Sequence, residues 1–286
     1  LSPAIRKKKP KLLAVDLDGT LLDPSGAPHA RDVEAIRAVQ ALGVIVTIVT
    51  GRLYSGARRA AEVCGIRGPV ACVDGSHVVR ADTHKTVFHH GIRGHHATKL
   101  RETFARRGPA AFVFARDAVI HDDAGAPYLS YVATWSTELT RTERVTTHHA
   151  WEHEDGVTAI VAVGSMQQIV GAAEDIHRDL PGATQVATFP TRRGDTSWGM
   201  VVRATGGDKG TALAWLADHH GLGIEETVAV GDWMNDVPML ERAGRSFAMG
   251  QAPALVKEKA TDRLTETCET GGGVARAIEI AFGVKV

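Results

Sequence analysis

Lys11-Leu-Leu-Ala-Val-Asp16-Leu-Asp18-Gly19-Thr20 sets two carboxylates two residues apart at the end of a short apolar run, with a glycine directly after them. Leu12 to Val15 reads as a strand buried on both faces, as strands of a parallel sheet are. The chain then turns at Asp18-Gly19, so Asp16 and Asp18 project from the carboxyl end of the sheet, where ligands bind in open α/β folds. Two anions held this close repel each other and need a cation or a shared proton.

Three further segments share that design. Val44-Ile-Val-Thr-Ile-Val-Thr50-Gly51-Arg52 is a second buried strand, ending in a hydroxyl, a glycine and a guanidinium. Gly206-Gly207-Asp208-Lys209-Gly210 opens a helix patterned by Leu213, Leu216 and Ala217. Val228-Ala-Val-Gly231-Asp232-Trp-Met-Asn235-Asp236 is again a strand followed by carboxylates. Any one of these is an ordinary loop motif, but all four follow one another in a fixed order.

Together the four segments resemble the motifs of the haloacid dehalogenase-like phosphohydrolases. The resemblance implies that Asp16 is the nucleophile, forming an aspartyl-phosphate, and that Asp18 protonates the leaving alcohol and then activates water. It implies that Thr50 hydrogen-bonds a phosphoryl oxygen and that Lys209 is the phosphate-binding lysine, a compact point charge. Gly19, Gly51, Arg52 and Asn235 are the expected remaining contacts of the phosphorylated substrate. Mg2+ suits an oxygen-rich site, and its expected ligands are Asp16, the Asp18 carbonyl and Asp232, with Asp236 direct or through water. Two departures from the family pattern stand out: Asp74-Gly75-Ser76, where many relatives have an Asn-Gly-Ala turn, and Trp233, at a place often filled by asparagine.

The chain's 286 residues allow two domains of typical size. An α/β core, a doubly wound parallel sheet, is expected over 11–82 and 198–286, resuming with a strand at 199–203. Between them, 83–197 alternates shorter strands with helices at 96–107 and 165–180 and contains none of the four motifs. An insertion of this size resembles the large α/β cap of Cof-type members, which are similar to sugar-phosphate phosphatases. It is expected to confer specificity and to close by hinges near 82–86 and 195–198.

Composition narrows the partners. Lys plus Arg and Asp plus Glu both number 33, so no global field favours nucleic acid or an anionic membrane surface. The basic run at 6–11 reads as a solvated tail. No apolar stretch approaches the roughly 20 residues of a membrane span, and no signal-peptide core follows the charged start. The three cysteines, Cys64, Cys72 and Cys268, lack CxxC spacing, which favours a reduced, cytoplasmic setting. The fourteen histidines include three adjacent pairs in the insertion, read as solvated surface residues because neighbours on an element point apart.

The expected function is therefore magnesium-dependent hydrolysis of a small phosphorylated metabolite, with a sugar phosphate as the leading class. A phosphomutase shares the aspartyl intermediate and is the nearest alternative. A non-catalytic phospho-ligand binder is a further one, and a signalling receiver would need neither Asp18 nor a cap.

Overall fold

The computed structural model describes residues 9–191 and 196–286, so most of the basic tail and the expected hinge residue Asp195 lie outside the described residues. The chain forms two compact units. One comprises the residues up to Gly51, 57–87 and 208–286; the other comprises 52–56 and 88–207.

The first unit is built on a parallel sheet in the order Asp262–Arg263, Arg245–Ala248, Thr227–Gly231, Leu12–Val15, Ile45–Ile48. Beyond Ile48 the pairing continues through a parallel bridge between Val49 and Ala71, which brings in Pro69–Cys72. The chain thus winds one way from Leu12–Val15 and later returns to its other side, which makes a topological switch point between Leu12–Val15 and Thr227–Gly231. Both strands are buried along their whole length, as their uninterrupted apolar sequence requires of a sheet covered on two faces. Val15 pairs with Val230, and the Asp16 amide donates to the Val230 carbonyl at 3.0 Å. That register sets Asp16 beside the loop carrying Asp232.

Helices cover the sheet. Ala30–Ala41 buries Ala35, Ile36 and Val39, and its Asp32, also buried, accepts from the Gly272 and Ala275 amides at 3.0 and 2.7 Å. One helix thereby supplies the N-terminal cap of the other, Gly273–Phe282. Lys209–His219 packs Ala212, Leu213 and Leu216 with Leu12, Ala14, Met239 and Leu240.

The second unit has a six-stranded sheet in the order Thr184–Pro190, Trp198–Ala204, Ala159–Gly164, Ala110–Ala115, Ala118–His121, Leu139–Arg141. Its pairs are antiparallel except the last, which is parallel. The expected helices are present as Gly94–Arg107 and Met166–Asp179, the latter opened by a Ser165/Gln168 capping box. Met166, an apolar residue at its start, is exposed in the first turn.

The expected resumption of the core at 198 is corrected by the pairing of Trp198–Ala204. This strand lies between Thr184–Pro190 and Ala159–Gly164 and buries Met200, Val202 and Ala204 in the second unit's core. The core therefore resumes at Asp208 rather than at 198, and the second unit begins at 88 rather than 83. It also takes in 52–56, where the Leu53 amide donates to the Trp135 carbonyl at 2.9 Å and the Ser55 amide to Asp117 Oδ1 at 2.8 Å.

Asp175 joins the helix Gly94–Arg107 to its own helix, Met166–Asp179. Its carboxylate is buried and accepts from Arg106 at 2.8 Å, from Arg107 at 2.7 and 2.9 Å, and from Arg178 at 2.9 Å. The Arg107 and Arg106 guanidinium groups hold it far below the usual carboxylate range. A carboxyl depressed on folding adds stability that is full above its unfolded value, about 4, and is lost as pH falls through the folded value. Asp175→Asn should therefore lower Tm by about 2–6 °C at pH 7. The gap from wild type should shrink steadily below about pH 4 in thermal melts. A gap unchanged down to pH 2 would remove the charge from this account.

Candidate active site

Asp16, Lys209, Asp232 and Asp236 come from three of the four motif segments and meet at the switch point. The Lys209 side chain is 1% exposed; its Nζ donates to Asp16 Oδ1 at 2.5 Å and to Asp236 Oδ1 at 2.6 Å. Lys209 is the first residue of its helix, whose N-cap Asp208 makes a reciprocal capping box with Thr211. That cap fixes where the side chain leaves the helix.

Asp236 does two things at once. One oxygen holds Lys209, and the other accepts the backbone amides of Asp232 and Trp233 at 2.8 and 2.9 Å, folding the loop onto itself. Gly231 permits this, because a Cβ there would lie 2.6 Å from the Asp236 carboxyl carbon. Asp232 is held by Thr20 Oγ1 at 3.4 Å and by Gln251 Nε2 at 3.2 Å. The same Gln251 nitrogen donates to the Gly19 carbonyl at 2.5 Å. Gly19 adopts φ +82°, and any side chain there would run into the Asp232 carboxylate.

The electrostatics show a shortage of positive charge. Burial and the Asp236 carboxylate raise the Asp16 carboxyl well above its usual range, with Lys209 offsetting only part. Burial, then Asp236, pushes Asp232 up to about 6 against the Gln251 hydrogen bond. Burial favours the neutral amine of Lys209, but Asp16, Asp236 and Asp74 outweigh it and hold the ammonium above its ordinary range.

Among the described residues, Asp16, Asp232 and Asp236 are the one group of three or more His, Cys, Asp or Glu side chains able to share a metal ion, with ligand atoms within 4.8 Å of one another. An all-carboxylate donor set with excess negative charge fits a hard dication and lacks the nitrogen or sulfur that zinc favours. The histidine pairs add no second cluster. His89 and His90 instead bond Thr158 Oγ1 at 3.1 Å and the Thr205 carbonyl at 2.9 Å.

The other sequence-selected residues sit as follows. Thr50 is fully buried, its amide bonded to the Ala71 carbonyl and its carbonyl to the Asp74 amide, both at 2.9 Å. Gly51 follows it, and a Cβ there would be 3.5 Å from Asp74 Oδ1. Asn235 Nδ2 donates to Asp74 Oδ1 at 3.0 Å. Asp18 is exposed on the turn. Arg52 falls in the second unit and donates to the Gly56 carbonyl at 3.2 Å. Sequence reasoning missed Thr20 and Gln251. Gln251 had a signal, because it follows the strand Arg245–Ala248 at the same sheet edge that carries Asp16, Thr50 and Asp232.

The chain belongs to the haloacid dehalogenase-like hydrolases, whose family model matches residues 13–278. It is similar to pyridoxal phosphate phosphatase YbhA of Escherichia coli, at 27% identity over 87% of this chain and 91% of that one. It is also similar to 5-amino-6-(5-phospho-D-ribitylamino)uracil phosphatase YcsE of Bacillus subtilis, at 26% identity over 94% of each. The crystal structure of a haloacid dehalogenase-like hydrolase from Bacteroides thetaiotaomicron shares the fold, with TM-score 0.82 and 23% identity over 96% of this chain and all of that one.

Removing one carboxylate from a group short of cations should relieve repulsion. Asp232→Asn should therefore melt at or above wild-type temperature when divalent ions are chelated. Millimolar Mg2+ should raise the wild-type Tm by about 2 °C or more and leave the variant unmoved. Equal magnesium shifts in both proteins would exclude Asp232 as a ligand.

Proposed function

We propose that this chain is a magnesium-dependent phosphatase of a small phosphorylated metabolite, acting through an aspartyl-phosphate on Asp16, with sugar phosphates as the leading substrate class. The observation that carries the reading is the buried Lys209 ammonium in contact with Asp16 at the carboxyl end of the central strand. A lysine so placed can offset the repulsion between an attacking carboxylate and phosphoryl oxygens. The named activities of the relatives, phosphatases of pyridoxal phosphate and of a phosphoribitylaminouracil, agree with a small phosphorylated substrate.

Phosphate monoester hydrolysis needs accelerations of up to about 10²¹-fold, so positioning and charge neutralisation must both be large. A carboxylate oxygen of Asp16 forms a bond to phosphorus while the bond from phosphorus to the leaving oxygen breaks. Asp18, exposed on the turn that follows Asp16, gives that oxygen its proton. Asp18 then takes a proton from the water that attacks phosphorus, releasing inorganic phosphate and restoring Asp16. Thr50, Gly51 and Asn235 hold phosphoryl oxygens. Asp16, Asp232 and the Asp18 carbonyl would hold Mg2+, with Asp236 acting mainly on Lys209 and the loop. When bound, the ion supplies Lewis-acid polarisation and charge neutralisation of the phosphoryl group.

These residues read only the phosphoryl group, which every candidate substrate carries. We assign discrimination among leaving groups to the second unit, which contains none of the four motifs apart from Arg52 and the two glycines preceding Asp208.

The test is a phosphate-release screen over sugar phosphates, nucleotides and cofactor phosphates with Mg2+ present. The expected result is release that chelator abolishes and magnesium restores, with calcium a poor substitute. Asp16→Asn should stay folded and retain less than about a hundredth of the wild-type rate. A tenth or more would remove Asp16 from the nucleophile role, and isomerised phosphate ester without free phosphate would favour the mutase.

A further inference from the structure

We infer that Asp74 is a positioning residue of this site, fixing Asn235 and the Thr50 turn where a phosphoryl group meets them; the inference rests on the phosphatase reading above. Asp74 belongs to none of the four motifs, yet the residue is only 9% exposed and lies beside three of the segments that build the site. Its Oδ1 accepts from Asn235 Nδ2 at 3.0 Å. The backbone amide of the same residue donates to the Thr50 carbonyl at 2.9 Å. Its negative charge joins those of Asp16 and Asp236 around Lys209.

The backbone supports a specific role. Val73, Asp74 and Gly75 have φ of 49°, 51° and 96°, three successive left-handed residues of which only the last is glycine. A β-branched residue in that region is an outlier, and such strain persists only where the surroundings over-determine it. The surroundings here are the Thr50 carbonyl on one side and Asn235 on the other. Asn235 lies on the loop that Asp236 folds through the Asp232 and Trp233 amides. Asp74 thus ties the loop after Ile45–Ile48 to the loop after Thr227–Gly231.

The placement also imposes a charge constraint. The backbone of Gly51 passes so near that a Cβ there would be 3.5 Å from Asp74 Oδ1. An anion beside an intended phosphoryl contact opposes substrate binding, so a simple electrostatic role would hinder the reaction. What Asp74 offers in return is an acceptor that fixes the Asn235 amide, with its second nitrogen-bound hydrogen still able to donate. Asparagine at position 74 would offer an acceptor at the same point and also tolerates left-handed φ.

The experiment measures p-nitrophenyl phosphate hydrolysis with Mg2+ for wild type, Asp74→Ala, Asp74→Asn, Asn235→Ala and the double variant Asp74→Ala/Asn235→Ala, with thermal melts alongside. Asp74→Ala and Asn235→Ala should each lower kcat/KM by at least about five-fold, mostly in kcat. Asp74→Asn should stay within about five-fold of wild type, and the double variant within about three-fold of the poorer single one, because both act through one bond. If Asp74→Ala fails to fold, Asp74→Gly, which accepts the backbone without strain, should show the same kinetic loss. A smaller loss in Asp74→Ala overturns the inference, as does an Asp74→Asn variant as impaired as alanine, or a double variant with a larger further loss. Wild type that releases no phosphate here or in the metabolite screen overturns the phosphatase reading and the inference with it. An active wild type with an indifferent Asp74→Ala overturns the inference alone.

Discussion

The contact of the Lys209 ammonium with Asp16 and Asp236 is the interaction on which the rest of the site depends. Burying an ammonium costs several kcal/mol, and only close, hydrogen-bonded carboxylates repay that. Asp16 and Asp236 do so at 2.5 and 2.6 Å. Helix geometry works against Lys209, because the first residue of a helix lies at the positive end of its dipole, where a cation is disfavoured. Local propensity would place an acidic or small residue there. The lysine is explained by what its side chain meets across the sheet edge, so this is a position where tertiary contacts override the local rule.

The parallel sheet makes that meeting possible. Residue 16 is far in sequence from 232 and 236, and its adjacency to their loop at the switch point follows from one strand pairing, which sets Leu12 against Thr227 and Val15 against Val230. A slip of one residue in that register would reverse the side to which Asp16 points relative to the Asp232 loop. The register is secured by burial of both strands along their whole length and extended by the Asp16 amide to the Val230 carbonyl. Glycines then allow the close approaches: Gly19 lets the first turn meet Asp232, and Gly231 leaves room for the Asp236 carboxyl group. Core packing, register and site geometry are therefore one constraint.

Much of this was legible in the sequence, for a physical reason. Fully buried strands have a distinctive apolar run, and a polar residue directly after such a run marks the sheet edge, so Asp16, Thr50 and Asp232 could be located without coordinates. The parallel core and the two helices of the second unit were readable from the same periodicities. What stayed hidden depends on pairing. Trp198–Ala204 is apolar enough for either sheet, and only its antiparallel partners Thr184–Pro190 and Ala159–Gly164 decide which one it joins. The grouping of residues 52–56 with the second unit was likewise hidden, because the bonds of Leu53 to Trp135 and of Ser55 to Asp117 are long-range. The partners of Asp236 were hidden too, because a carboxylate's type does not reveal that one oxygen holds a lysine and the other two amides.

The two units keep separate hydrophobic interiors, and that separation has a consequence for how the chain can vary. Leu12, Ala14, Leu213, Leu216, Met239 and their neighbours form one cluster, while Phe104, Ile160, Ile169, Ile176, Met200 and theirs form another. Substitutions that repack the second interior are buffered from the first, since residues without shared partners contribute nearly additively to stability. Asp16, Asp74, Asp232, Asp236 and Lys209 all belong to the first unit, and the ties among them run within it. The ion pairs that hold Lys209 therefore use no side chain of the second unit. A charged site confined to one unit, with a separately packed interior in the other, agrees with the 27% and 26% identity that this chain shares with the two relatives.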